Sequence, residues 1–191
     1  MNTNSSLCKS CINLFHPCFK KFKIDDISAL TLFYYDVFMK DLIYKFKGCY
    51  DYELKSIFLE MYKRELSILY HGYEMIPAPS FDEDNKKRGF NHVVEIFKNL
   101  KLKMNEAFIK TEKFKQADNN FDNRKKIKKY IKLKENIDLG KKILLVDDIY
   151  TTGNTMKTMI SLLKQRGISD IKVLVLCKTK LGEKQQDNLM Q

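Results

Sequence analysis

Residues 143–155 constrain the fold of this chain more than any other segment. The apolar run from Ile143 to Val146 is typical of a buried parallel strand, and two adjacent acids, Asp147 and Asp148, follow at its carboxyl end. A turn rich in hydroxyl groups comes next, and the apolar residues from Met156 to Leu163 then repeat at helical spacing. The pattern therefore predicts a strand, a loop and a helix in one unit.

The predicted loop combines groups that bind a phosphate. The first turn of a helix offers backbone N–H groups and the positive end of the helix dipole. Gly153 permits close approach of an anion or a positive φ, and Thr151, Thr152 and Thr155 add hydroxyl donors. The two carboxylates would repel a phosphate, so we expect them to face sugar hydroxyls or a divalent cation. Simple helix capping is the alternative, but the whole run favours a cradle for a sugar phosphate.

Two other phosphate motifs are absent, since the sequence has neither G-x-x-x-x-G-K-[ST] nor a G-x-G-x-x-G after a candidate strand. The run instead resembles the 5-phosphoribosyl 1-pyrophosphate (PRPP) motif of type I phosphoribosyltransferases. The resemblance implies that Asp147 and Asp148 hold the ribose 2′- and 3′-hydroxyls. It assigns the 5′-phosphate to Thr151, Thr152, Gly153, Asn154 and Thr155. Family members that act on hypoxanthine or guanine usually carry Asp at the position of Thr151, so the resemblance disfavours that specificity.

The order of the remaining motifs is similar to that of the ComF branch of phosphoribosyltransferase-like proteins. The matching segments are Tyr35-Asp36, Leu42-Ile43, Phe46-Lys47, Pro77-Ala78-Pro79-Ser80, Arg88-Gly89-Phe90-Asn91, Gln116 and Arg124. The resemblance implies that the loop Pro77-Ala78-Pro79-Ser80 meets the pyrophosphate through backbone N–H groups, with Mg²⁺ bridging the substrate oxygens. Arg88 would be the cation beside them, and the implied catalytic residues are Asp147, Asp148 and Arg88. A solvated arginine in a basic patch is the alternative for Arg88.

The resemblance implies an α/β fold of the type I phosphoribosyltransferase class, with a mostly parallel sheet flanked by helices. We expect a small N-terminal cysteine module over residues 1–23 and a phosphoribosyltransferase-like domain over residues 24–191. The spacing predicts strands within 26–35, at 73–76 and from 171, and helices over 36–47, 54–62 and 90–100. The polar, lysine-rich segment 105–138 is interpreted as either a mobile flap or a basic excursion over the site.

The N-terminal cysteines indicate a possible zinc site. Cys8 and Cys11 form a C-x-x-C pair, which is half of a common structural zinc site. His16 and Cys18 would complete the four ligands, with Cys49 as a remote alternative ligand. A remnant that binds no metal is the other interpretation. Cys177 lies in an apolar strand and is predicted to be a buried thiol.

The net charge of +11 raises the question of nucleic acid, because much of the excess lies in the basic run from Arg124 to Lys134. The run is interpreted either as a site for single-stranded DNA or as a solvated surface. No stretch reaches the roughly 18 apolar residues of a membrane span, and the polar start lacks a secretion signal. We therefore expect a cytoplasmic protein.

Three functions remain open from the sequence. The first is a ComF-like protein that binds PRPP or another phosphoribosyl ligand with Mg²⁺ and takes part in DNA uptake in competence, beside partners such as a DNA-uptake helicase. The second is a catalytically active, PRPP-dependent nucleobase phosphoribosyltransferase of the salvage type. The third is a non-catalytic accessory protein that associates with nucleic acid. A fold by itself does not decide among them.

Overall fold

The computed structural model describes residues 7–111 and 130–180 of the chain. The strands are β1 (Pro17–Ile24), β2 (Ile27–Tyr34), β3 (Glu74–Pro77), β4 (Phe108–Lys110), β5 (Ile131–Leu133), β6 (Lys142–Tyr150) and β7 (Asp170–Lys178). The α-helices are α1 (Lys9–Ile12), α2 (Val37–Lys47), α3 (Lys63–Leu69), α4 (Asp82–Arg88), α5 (His92–Phe97) and α6 (Asn154–Gln165). Short 3₁₀ helices cover Tyr52–Ser56 and Lys98–Leu100.

The centre of the fold is a five-stranded sheet in the order β1-β2-β7-β6-β3. The neighbours β2/β7, β7/β6 and β6/β3 are parallel, and only β1 runs antiparallel at one edge. A separate two-stranded antiparallel sheet joins β4 and β5. The predicted fold class, a mostly parallel phosphoribosyltransferase-like sheet with flanking helices, is confirmed.

Strand β6 is buried on both faces of the sheet, as its continuous apolar sequence predicts. Leu144 and Val146 pack in one core with residues of α2 and α5. Ile143 and Leu145 pack in the opposite core with residues of α6 and of the β4–β5 pair. Side chains alternate between the faces of a strand, and residues 143–146 accordingly alternate between the two cores.

Most predicted elements are present at their expected places. Helix α2 follows Asp36, whose carboxylate accepts a hydrogen bond from the N–H of Met39 at 2.9 Å and so caps the helix. Strand β2 and helix α5 fall within the predicted segments, and β3 and β7 begin within one residue of theirs. Helix α6 ends at Gln165, two residues before Gly167, whose φ of 80° a residue with a side chain adopts at a cost.

The helix predicted over residues 54–62 is wrong. A 3₁₀ helix covers only Tyr52–Ser56, turns follow it, and the α-helix begins at Lys63. Phe58 and Leu59 are adjacent and both 1% exposed, so the core contacts come from irregular turns rather than from one helical face. Apolar spacing alone does not separate these two arrangements.

Strand β6 is longer than the sequence predicted. The strand was expected to end at Val146, but pairing with β7 continues to Tyr150 opposite Lys178. Since β7 also extends to Lys178, its backbone supplies the hydrogen-bond partners that prolong β6. The two acids therefore lie inside the strand.

The N-terminal segment joins the main sheet directly. Strand β1 begins at Pro17, so the predicted domain boundary at residue 23 lies inside this strand, and the division into two domains stays a prediction. The flap prediction rests in part on residues 112–129, which include Gln116 and Arg124 and lie outside the described residues. Within the described ranges, no helix has the length and apolar character needed to cross a membrane.

Candidate phosphoribosyl site

A cavity of about 350 Å³ lies at the carboxyl edge of β3 and β6. Open parallel sheets bind ligands at this edge. The predicted site residues that line the cavity are Ala78, Pro79, Ser80, Arg88, Asp147, Asp148 and Thr155. The structure thus brings together residues from the loop after β3, the helix α4 and the β6–α6 unit.

The turn between β6 and α6 has the geometry predicted for a cradle. Gly153 has a φ of 72°, and a Cβ at this position would collide with the ring of Tyr150. Thr151 and Thr152 are exposed beside it. Asn154 and Thr155 form the start of α6, which has 12 residues and no acidic residue in its first turn. The first N–H groups of a helix have no partner within the helix, so this end is suited to an anion.

The loop from Pro77 to Ser80 has fewer backbone donors than predicted. Pro77 and Pro79 carry no N–H group, and the N–H of Ala78 donates to the carbonyl of Val146 at 2.8 Å. Of the loop's own N–H groups, that of Ser80 remains. Pro77 is buried in β3 and lines a neighbouring cavity of about 250 Å³ rather than the main one.

The carboxylate of Asp148 is buried and already paired with two side chains of the protein. Its Oδ2 lies 2.9 Å from Nζ of Lys47 and 3.1 Å from Nε2 of His92, while Oδ1 accepts the N–H of Ile149 at 2.8 Å. Burial alone would raise the pKa of Asp148, but Lys47 and His92 outweigh it and hold this pKa well below its usual value. Asp148 is therefore ionised and paired.

Asp147 has a different environment, although it is adjacent in the sequence. It is half-buried, and its Oδ1 accepts the N–H of Asp148 at 2.9 Å. Burial raises the pKa of Asp147, and the charge of Asp148 raises it further. A cation or a hydroxyl donor at this carboxylate would relieve the unfavourable charge.

Arg88 is partly buried and held by several hydrogen bonds, which disfavours the solvated-arginine alternative. Its Nε donates to the carbonyl of Lys47 at 3.0 Å, and its Nη1 lies 3.0 Å from Nδ1 of His92. Nη1 also donates to the side chain of Asn85 at 3.3 Å and to the carbonyl of Phe90 at 3.4 Å. The side chain is therefore fixed at the wall of the cavity.

Six residues that line the cavity were not among the predicted site residues: Lys47, Phe81, Asp84, His92, Val93 and Lys110. Lys47 was part of a matching motif, and His92 directly follows Arg88-Gly89-Phe90-Asn91, but neither position carried a signal of its own. Lys47 and Asp148 come from segments 101 residues apart, so only the fold shows that they meet.

The predicted zinc ligands are not gathered around one point. Cys8 Sγ accepts the N–H of Cys11 at 3.4 Å, so these two are neighbours at the start of α1. Among residues 7–111 and 130–180, no group of three or more His, Cys, Asp or Glu side chains is arranged to hold a metal ion. As placed, Cys8, Cys11, His16 and Cys18 do not fit a four-ligand site, and the zinc prediction remains without structural support.

Comparison with known proteins agrees with this fold. The family model of the phosphoribosyl transferase domain matches residues 86–190, which is more than half of the chain. Competence protein ComFC of Streptococcus pneumoniae (strain ATCC BAA-255 / R6) is 29% identical over 152 residues, which cover 80% of this chain and 69% of the relative. Competence protein ComFC of Bacillus subtilis (strain 168) is 26% identical over 139 residues, which cover 72% of this chain and 58% of that relative.

A crystal structure of a hypoxanthine phosphoribosyltransferase from Staphylococcus aureus overlaps 66% of this chain and 63% of its own, at 15% identity and a TM-score of 0.37. That overlap is too loose to support any inference. The family model, by contrast, covers the turn, the acids and Arg88. The chain belongs to the phosphoribosyl transferase domain family and, within it, is a ComF-family phosphoribosyltransferase-like protein.

Proposed function

We propose that this protein binds a 5-phosphoribosyl ligand, PRPP with Mg²⁺, in the cavity at the carboxyl edge of β3 and β6. The observation that carries the proposal is the shared cavity itself. Acids that accept sugar hydroxyls, a helix start that accepts a phosphate and a fixed arginine all line or border one space of about 350 Å³. The resemblance assigns Asp147 and Asp148 to the ribose hydroxyls and residues 151–155 to the 5′-phosphate.

Mg²⁺ enters this proposal as part of the ligand. Magnesium keeps several waters and binds through few carboxylates together with phosphate oxygens. The chemistry of the site agrees with this mode, because the half-buried Asp147 has a raised pKa that a nearby cation would lower. When bound, the ion would offset the pyrophosphate charge.

The binding test compares two glycines that share the same backbone strain. Gly153→Val should abolish the rise in melting temperature that PRPP and Mg²⁺ cause, because the turn must shift to avoid Tyr150. Gly72→Val is the matched control, since Gly72 has a φ of 81° with open space around its missing Cβ and lies away from the cavity. A wild-type protein with no shift, or equal losses in both variants, would refute the site.

Turnover is a separate proposal. Type I enzymes stabilise charge and orient the ribose as pyrophosphate leaves, which needs few reacting groups from the protein. Release of pyrophosphate from PRPP in the presence of a panel of nucleobases would establish a salvage-type transferase. Binding without release would favour a ligand-dependent or accessory role.

The biological role that the relatives favour is competence. Both curated relatives carry the name competence protein, and we infer a role in DNA uptake for this chain. Single-stranded DNA and a DNA-uptake helicase are the corresponding partners. A cytoplasmic location is part of the same proposal.

A further inference from the structure

The carboxylate of Asp148 has little capacity left for a ligand. An ionised carboxylate offers about four acceptor positions. Lys47 and His92 occupy two on Oδ2, and the N–H of Ile149 occupies one on Oδ1. The side chain is 6% exposed. A ribose carries two neighbouring hydroxyls, and Asp148 could receive both only by giving up a hydrogen bond that neutralises its charge.

Asp147 has the capacity that Asp148 lacks. Within the described residues, its side chain accepts one hydrogen bond, from the N–H of Asp148 to Oδ1. Asp147 lines the cavity and is only half-buried. The second oxygen can therefore accept hydroxyl groups without disrupting any pairing of the chain.

Asp148 is hydrogen-bonded directly to one cation, Lys47, and through His92 to a second cation, Arg88. Arginine can only donate, so the 3.0 Å contact between Nη1 of Arg88 and Nδ1 of His92 makes Nδ1 the acceptor. The ring proton of a neutral His92 then lies on Nε2, which faces Oδ2 of Asp148 at 3.1 Å. Lys47 donates to the same oxygen, so one carboxylate orients Lys47 directly and Arg88 through the imidazole.

Arg88 and Lys47 are also joined to each other. Nε of Arg88 donates to the backbone carbonyl of Lys47 at 3.0 Å, which ties the end of α2 to the end of α4. Both side chains line the cavity, and that of Lys47 is 39% exposed. Asp148 uses one of the three N–H donors of the Lys47 ammonium, and the other two can reach a ligand.

The loop from Pro77 to Ser80 supplies few donors for a pyrophosphate, so these two cations would compensate its charge together with the proposed Mg²⁺. That loop retains one N–H donor of its own, on Ser80, and a pyrophosphate needs more compensation than a single amide provides. Charge-assisted donors are shorter and stronger than neutral ones, and two fixed cations supply them.

We propose that the two adjacent acids divide the work: Asp147 accepts the ribose hydroxyls, whereas Asp148 is a positioning residue that aims Lys47 and, through His92, Arg88 at the pyrophosphate. This inference rests on the proposed phosphoribosyl function and refines it. It adds Lys47 as a ligand-binding residue and His92 as the link between the acid and the arginine.

The test compares two ligands that differ only in the pyrophosphate. PRPP and ribose 5-phosphate share the sugar and the 5′-phosphate, so their dissociation constants, measured by calorimetry with Mg²⁺, separate the two parts of the site. Lys47→Gln should raise the dissociation constant of PRPP by about tenfold or more and change that of ribose 5-phosphate by less than about twofold. Lys47→Arg should recover part of the PRPP affinity because it keeps the charge.

The acids should behave in opposite ways. Asp147→Asn should lower the affinity for both ligands by a similar factor. Asp148→Asn should lower the affinity for PRPP selectively, as Lys47→Gln does. Lys45→Gln is the control, because Lys45 is exposed on the same helix and outside the cavity. Melting curves confirm that each variant is folded, and Lys47→Gln keeps the test decisive if Asp148→Asn does not fold.

Two failures are distinguishable. If the wild-type protein binds neither ligand, the phosphoribosyl function is wrong and this inference falls with it. The second failure is that the wild type binds both ligands while Lys47→Gln lowers the affinity for both equally or for neither. In that case the phosphoribosyl function stands, and the assignment of separate roles to Asp147 and Asp148 is wrong. A selective loss of ribose 5-phosphate in Asp148→Asn would also overturn it.

Discussion

Lys47 and Asp148 are 101 residues apart in the sequence, and their Nζ and Oδ2 atoms lie 2.9 Å apart in the structure. This ion pair connects the last residue of α2 to the strand that carries both acids. Burial opposes the charge of Lys47, but the pairing with Asp148 outweighs it and raises the pKa of Lys47. The pair is therefore part of the fold as well as of the site.

A double-mutant cycle with Lys47→Met and Asp148→Asn measures this pair. We expect a coupling energy of about 1–2 kcal/mol from urea unfolding, less than for a fully buried pair because the lysine is 39% exposed. The control cycle uses Lys45 and Asp41, whose Nζ and Oδ2 atoms lie 2.8 Å apart on the same helix with both side chains 55% exposed. That pair should give only about 0.3–0.5 kcal/mol. Equal coupling in the two cycles would show that burial adds nothing to the pair.

The ionisation of Glu74 should make the stability of the protein depend on pH in the acidic range. Its carboxylate is buried and accepts hydrogen bonds from the side chains of Asn105 and Lys103 and from the N–H of Gly140. Burial would raise the pKa of Glu74, but these hydrogen bonds together lower it. A lowered pKa adds stability that is present above the pKa of the unfolded chain, about 4.3, and is lost as the pH falls through the folded value.

The variant Glu74→Gln should therefore lower the free energy of unfolding at neutral pH by about 1–3 kcal/mol. The difference from the wild type should shrink as the pH falls below about 4.3, because the wild-type carboxylate then also becomes neutral. Glu65→Gln is the matched control, since Glu65 is exposed on α3. A constant difference across the pH range would mean that shape rather than charge explains the loss.

Much of the fold could be predicted from the sequence because its signals are local. Asp36 caps α2 through its own side chain, and Gly153 and Gly167 mark turns that need a positive φ. Both predicted acids line the cavity, but their unequal environments could not be predicted. Which acid meets Lys47 depends on the strand alternation and on a helix that comes 101 residues earlier, and no local pattern encodes that distance.

The helix predicted over residues 54–62 is wrong for a different physical reason. Phe58 and Leu59 reach the core from turns, and the apolar spacing of such a segment imitates a helix. The limit of β6 also depends on a partner, since β7 supplies the hydrogen bonds that extend it to Tyr150. Both cases show tertiary contacts overriding a local pattern.

Cysteine labelling should separate a buried thiol from exposed ones and test the zinc prediction. Cys177 is 0% exposed, and burial raises the pKa of its thiol, so we expect it to resist alkylation until the protein unfolds. Cys8, Cys11 and Cys49 are exposed and should react in the native protein, with peptide mass spectrometry as the measurement. Protection of Cys8 and Cys11 that a chelator removes would instead support the predicted zinc site. Native labelling of Cys177 would contradict its burial.

The basic run from Arg124 to Lys134 gives the last prediction, most of which concerns positions outside the described residues. If the DNA-uptake role is correct, neutralising Lys125, Lys126, Lys128 and Lys129 should weaken binding to single-stranded DNA. The slope of log affinity against log salt should fall by roughly 0.7 for each phosphate that the variant no longer neutralises. Fluorescence anisotropy of a labelled oligonucleotide over a range of salt concentrations measures both effects.

The control for this charge change replaces Lys20, Lys21, Lys23 and Lys40, which are exposed on β1 and α2 and are not part of the run. This control removes the same number of positive charges, so a purely global effect of net charge would weaken DNA binding equally in both proteins. A specific decrease in DNA affinity in the first protein, with PRPP binding unchanged, would place the DNA site in the run and leave the cavity independent of it. A simultaneous loss of PRPP binding would contradict that separation and support the predicted flap over the site. Unchanged DNA affinity would leave these lysines as a solvated surface.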